Sequence, residues 1–138
     1  MLAYVDSSVI LRHLLDQPGR LVEWRLLRAP MTSRLAEVEC LRTLDRMRVE
    51  GAYGDGHLAT LRSRVYRVLE TLEIIEVTRR ILTRAAQPSP AALGTLDAIH
   101  LSAATAWRER TNENLVFATH DAALALAARA SGFRVLGV

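Results

Sequence analysis

The chain has 138 residues carrying 18 basic and 15 acidic side chains, for a formal net charge of +3, and every basic residue is an arginine. A domain of that length buries roughly 70% of the surface its unfolded chain exposes, so folding requires no disulfide or structural metal, and the lone cysteine, Cys40, reads as a buried core residue in a reduced, cytoplasmic protein. Nothing resembles a cationic leader before a long apolar run, no segment approaches the ~20 apolar residues that span a bilayer, and an arginine-rich surface is compatible with a polyanionic partner without demanding one.

Leu2 to Asp6 reads as a short buried strand that ends in a carboxylate. The following Ser7-Ser8 reads as the cap of a helix marked by Val9, Ile10, Leu11, Leu14 and Leu15. Pro18-Gly19 stops that helix, and Leu21 to Leu27 carries a second short helical pattern ending near Ala29-Pro30. Met31 to Ser33 is long enough for a second strand, with Ser33 as the cap of a helix that runs to about Glu50 and stops at Gly51. After a turn over Ala52 to Gly56, the spacing of Leu58, Leu61, Val65, Val68, Leu69 and Leu72 predicts another helix, antiparallel to the one before it.

Ile74 to Val77 is a third strand, followed by a helix to about Ala86 and a loop at Pro88-Ser89-Pro90. A helix over Thr95 to Glu109 precedes a fourth strand, Leu115 to Ala118, of the continuous apolar kind found in parallel sheets. An alanine-rich helix ending at Gly132 and a fifth strand over Phe133 to Val138 close the chain. Strands alternating with helices throughout predict one α/β domain over residues 1–138, a central parallel sheet of about five strands covered on both faces.

In such a sheet ligands bind beyond the carboxyl ends of the strands. Asp6 and Asp121 fall there directly, and Asp97 falls in the first turn of its helix if Thr95 is the cap. A first-turn acid also complements the helix dipole, yet the small apolar residues after Asp97, from Ala98 to Ala104, leave its charge in want of a partner. Glu37 and Glu39 lie on roughly opposite helix faces, so at most one enters a common site; periodicity favours Glu39 only slightly. Acids gathered at one edge need a cation, and hard oxygen ligands select Mg²⁺ or Mn²⁺ over zinc. The four histidines form no zinc motif, and no phosphate-binding glycine loop is present. Ser8 stands where an aspartyl phosphotransferase would want a second acid.

Four stretches, Tyr4-Val5-Asp6-Ser7-Ser8, Thr32-Ser33-Arg34-Leu35-Ala36-Glu37-Val38-Glu39, Leu96-Asp97-Ala98-Ile99-His100-Leu101 and Phe117-Ala118-Thr119-His120-Asp121, resemble in order and spacing the motifs of PIN-domain ribonucleases. The likeness is closest to VapC toxins of type II toxin–antitoxin systems. The resemblance implies a three-layer α/β/α domain in which Asp6, Glu39, Asp97 and Asp121 form a catalytic acidic quartet binding Mg²⁺ or Mn²⁺. It resolves the Glu37/Glu39 choice for Glu39, through the Ser-x-x-Ala-x-x-Glu pattern. Ser8 and Thr119 match hydroxyl residues with supporting roles, Asp121 is the acid that can act through water, and His100 is read as a packing or supporting residue rather than a ligand. The resemblance further implies cleavage of structured RNA such as tRNA or rRNA, a cognate antitoxin, and a homodimer, with the helical hairpin between about Ser33 and Leu72 as part of the antitoxin surface. Two rival readings stand beside it: an RNA-processing nuclease of the same family without an antitoxin, and a non-catalytic RNA- or protein-binding module.

Overall fold

The computed structural model describes residues 1–89 and 91–138. Five strands form one wholly parallel sheet: β1 (Ala3–Val5), β2 (Met31–Ser33), β3 (Glu73–Ile75), β4 (Val116–Ala118) and β5 (Arg134–Leu136), in the spatial order β3-β2-β1-β4-β5. The α-helices are α1 (Ser7–Leu14), α2 (Leu35–Val49), α3 (Asp55–Leu69), α4 (Arg79–Ala85), α5 (Thr95–Thr111) and α6 (Ala122–Ala130). From β1 the chain winds outward through β2 to β3, then returns to the other side of β1 for β4 and β5. The order therefore reverses between β1 and β4, and the crevice beyond their carboxyl ends is the switch point where α/β sheets bind ligands.

Alternation along each strand divides the core in two. Val5 and Ala118 face a layer built from Val9, Ile10 and Leu14 of α1, Ala36, Cys40 and Leu44 of α2, and Leu61, Val65 and Leu69 of α3. Their neighbours Tyr4 and Phe117, paired across the β1–β4 ladder, face Ile81 of α4, Ile99, Ala103, Ala104 and Trp107 of α5, and Leu124 and Ala128 of α6. Cys40 is buried, and burial pushes its thiol up to about 12, which suits a packing residue and not a nucleophile.

The helix starts differ from the sequence expectation in physically simple ways. Asp6, not Ser7-Ser8, caps α1, because its carboxylate reaches the Val9 amide at 3.1 Å. Ser33 does not cap α2. It is the last, buried residue of β2, paired with Ile75, and Arg34 takes the cap position. Gly94, with extended backbone, takes the cap position of α5, so Thr95 is already helical and Asp97 stays in the first turn. The segment expected as a helix over Leu21 to Leu27 is a short 3-10 turn, Val22–Leu26. Pro90, part of the expected Pro-Ser-Pro loop, lies outside the described residues.

Candidate active site

Backbone geometry brings Asp6 and the segment after β4 together. The Asp6 amide donates to the Ala118 carbonyl at 3.2 Å and the Thr119 amide to that of Leu136 at 3.0 Å, extending the ladder one residue past the strands. Asp6 is only 3% exposed, so its charge depends on hydrogen bonds. The Ser8 hydroxyl donates to Oδ1 at 2.6 Å, and the Thr119 hydroxyl donates to Oδ2 at 2.6 Å. Both hydroxyls are held in turn, since the His120 amide donates to Ser8 Oγ at 2.9 Å and the Asp121 amide to Thr119 Oγ1 at 3.0 Å. Each clamp is thus built from residues more than a hundred positions apart and meets at one carboxylate.

Asp121 repeats the Asp6 arrangement one strand over. It caps α6 by accepting the Leu124 amide at 2.8 Å through Oδ1. Two helix N-termini, each carrying partial positive charge, therefore converge on the edge where the acids stand. Asp121 is exposed and Asp6 is buried, which gives the crevice a floor and a rim.

Asp97 lies between them in exposure, and its carboxyl is raised above the ordinary aspartate value, first by burial and then by the charges of Asp121 and Asp6, with Glu39 adding less. His100 acts against these charges, so Asp97 feels the other three acids with one partial offset. Glu39 and Glu37 separate as their helix positions require. Glu37 turns outward to Arg34, 3.5 Å away, while Glu39 turns inward, its side chain 16% exposed, and its Oε1 accepts from Nε2 of His100. His100 is 1% exposed, and its Nδ1 lies 2.6 Å from the Tyr4 hydroxyl. Tyr4 was not a sequence candidate; the available signal was that His100 falls three residues after Asp97, on the same face of α5.

The donor set is all carboxylate, backed by hydroxyls, and its chemistry fits a hard divalent cation such as Mg²⁺ or Mn²⁺. Relief of the repulsion felt at Asp97 is what such an ion would supply. Among the described residues no three His, Cys, Asp or Glu side chains already stand at metal-ligating spacing. One oxygen of Glu39 is engaged by His100 and one oxygen of Asp121 by a helix cap, which leaves the second oxygen of each carboxylate for a cation. A surface cavity of about 610 Å³ lies beside β3, lined in part by Glu73, Ile75, Thr78 and Trp107, and shares no residue with the acidic crevice.

Residues 3–130 match the model of the PIN domain. The chain therefore belongs to the PIN-domain family. Its kinship there is with VapC ribonucleases: over 135 residues it is 32% identical to Ribonuclease VapC47 of Mycobacterium tuberculosis (strain CDC 1551 / Oshkosh), a match covering 94% of this chain and 92% of that one. The fold is shared with a toxin-antitoxin complex from Klebsiella pneumoniae (TM-score 0.64, 17% identity, 86% of each chain). It is shared also with PAE2754 from Pyrobaculum aerophilum (TM-score 0.65, 18% identity, 98% of this chain and 83% of that one). VapBC-1 from nontypeable Haemophilus influenzae aligns over 98% of this chain and 96% of its own, at TM-score 0.61 and 13% identity.

Proposed function

We propose that this protein is a Mg²⁺- or Mn²⁺-dependent endoribonuclease toxin, which hydrolyses phosphodiester bonds in structured RNA such as tRNA or rRNA and is neutralised by a cognate antitoxin in the cytoplasm. The observation that carries this reading is the meeting of Asp6, clamped by Ser8 and Thr119, with the helix-capping Asp121 at the switch point of the sheet, where the charges of both also act on Asp97. A cation bound among these acids would neutralise them and supply an activated water for attack on the phosphodiester. The chain's own part is preorganisation. Ser8 and Thr119 lock the two oxygens of Asp6, the cap of α6 positions Asp121, and Glu39 approaches from α2 on the opposite side of the crevice. An open, rimmed edge suits a polymer substrate better than the cavity beside β3 does.

In this reading Asp6→Asn and Asp97→Asn each abolish RNA cleavage and relieve growth arrest on expression, with circular dichroism unchanged. Full toxicity of either folded variant would sink the metal mechanism. Growth restored by co-expressing a short partner protein from a neighbouring gene would favour the toxin over an RNA-processing nuclease. A homodimer is part of the same proposal, checked by light scattering.

A further inference from the structure

We propose that Tyr4 and His100 form a buried positioning chain that sets the orientation of Glu39 toward the divalent cation; this rests on the reading of the acids as a metal site. The chain runs from the central strand to the crevice: the Tyr4 hydroxyl meets His100 Nδ1 at 2.6 Å, and His100 Nε2 meets Glu39 Oε1. The direction of the inner bond follows from chemistry: a carboxylate only accepts, so Nε2 carries a ring proton and donates to Oε1, while Nδ1 pairs with the tyrosine hydroxyl.

The chain is also mechanically fixed. Tyr4 is fully buried, its ring stacked on Phe117 with centroids 5.2 Å apart and set edgewise to His100 at 5.8 Å. A tyrosine held in the central strand cannot follow α2, so it defines where the imidazole, and through it Oε1, must stand. Without the hydroxyl the ring loses the contact that anchors its Nδ1 edge, and Nε2 no longer holds Oε1 at one place. Outer partners of this kind typically matter 10–100-fold in metal affinity.

The test is Mn²⁺ titration by calorimetry of the full chain and four variants, with thermal melts alongside. We expect Glu39→Gln to weaken binding, His100→Ala to weaken it about 10–100-fold, and Tyr4→Phe to weaken it several-fold with little change in melting temperature. His100→Gln, whose amide can both donate to Glu39 and accept from Tyr4, recovers most of the affinity. Nitrogen-15 spectra supply a signature that packing alone would not move: the His100 Nδ1 resonance shifts in Tyr4→Phe as its hydrogen bond to the hydroxyl is lost. Undiminished Mn²⁺ affinity in Tyr4→Phe and His100→Ala, with binding lost in Glu39→Gln, overturns the positioning role alone. No Mn²⁺ binding by the parent chain overturns this role together with the metal-site reading. If His100→Ala does not fold, Tyr4→Phe and the Nδ1 resonance decide the matter.

Discussion

A carboxylate held above its ordinary value in the folded state is a liability when no cation is bound. For Asp97 the folded protein disfavours the charged form through burial and through the neighbouring charges of Asp121 and Asp6. Its contribution is therefore neutral below the unfolded aspartate value and turns unfavourable as pH rises through the window between the unfolded and the raised folded values. Asp97→Asn should accordingly melt at a higher temperature than the parent at neutral pH in the presence of a chelator, with the difference vanishing at a pH below that window. Added Mn²⁺ should reverse the order, stabilising the parent and leaving the variant unmoved. Equal melting temperatures in chelator would show that the acids do not share a field. The acids themselves were legible in the sequence, because apolar runs mark the strand ends that carry Asp6 and Asp121. Their supports were only partly so: Ser8 lies two residues from Asp6, but Thr119 reaches it across the sheet, and Tyr4, His100 and Glu39 meet across separations of 96 and 61 positions that no local pattern encodes.

At the level of elements, helices were easier to read than their starts. Period-3.6 runs such as Leu61, Val65 and Leu69 in α3 announce a buried face, whereas each helix start depends on which side chain or backbone group reaches a free amide in three dimensions. The three-residue strands were recognisable by composition, yet their ends are set by the ladder, as where Ser33 stays paired in β2 instead of turning to cap α2. One tight approach ties strand ends to the acids. Gly137, just past β5, has φ of +98°, and a Cβ there would collide with the Thr119 carbonyl and come within 3.2 Å of His120 Nδ1. The residue pushed is the one whose hydroxyl holds Asp6. Gly51 has a similar φ of +85° with open space around it. Gly51→Ala should then cost about 1 kcal/mol, the strain of a left-handed alanine alone. Gly137→Ala should cost about 2 kcal/mol or more and also depress cleavage. Urea denaturation and an RNA cleavage assay on the pair separate strain from displacement, and equal losses in both variants would show that the Thr119 contact is unimportant.

For the whole molecule, a modest net charge of +3 conceals an uneven availability of its arginines. Arg34 stands next to the crevice but is engaged by Glu76, with contacts of 2.5 and 3.1 Å, and by Glu37. Arg84 is likewise matched to Glu109, and Arg48 to Asp45 and Asp55. Arg42 is different: it is exposed, it follows Glu39 by three residues on α2, and no carboxylate pairs with it among the described residues. Its guanidinium is therefore free to meet a phosphate, which it can grip bidentately. In a cleavage-dead Asp6→Asn background, RNA affinity should fall as salt rises, because binding releases counterions. Adding Arg42→Ala should weaken binding and flatten the slope of log affinity against log salt by about 0.7, the loss of one phosphate contact on a single strand. Arg34→Ala should leave that slope unchanged, since its charge is already spent on Glu76. A slope that Arg34→Ala flattens and Arg42→Ala does not would place the RNA on the β3 side of the crevice, away from the face of α2 that carries Glu39.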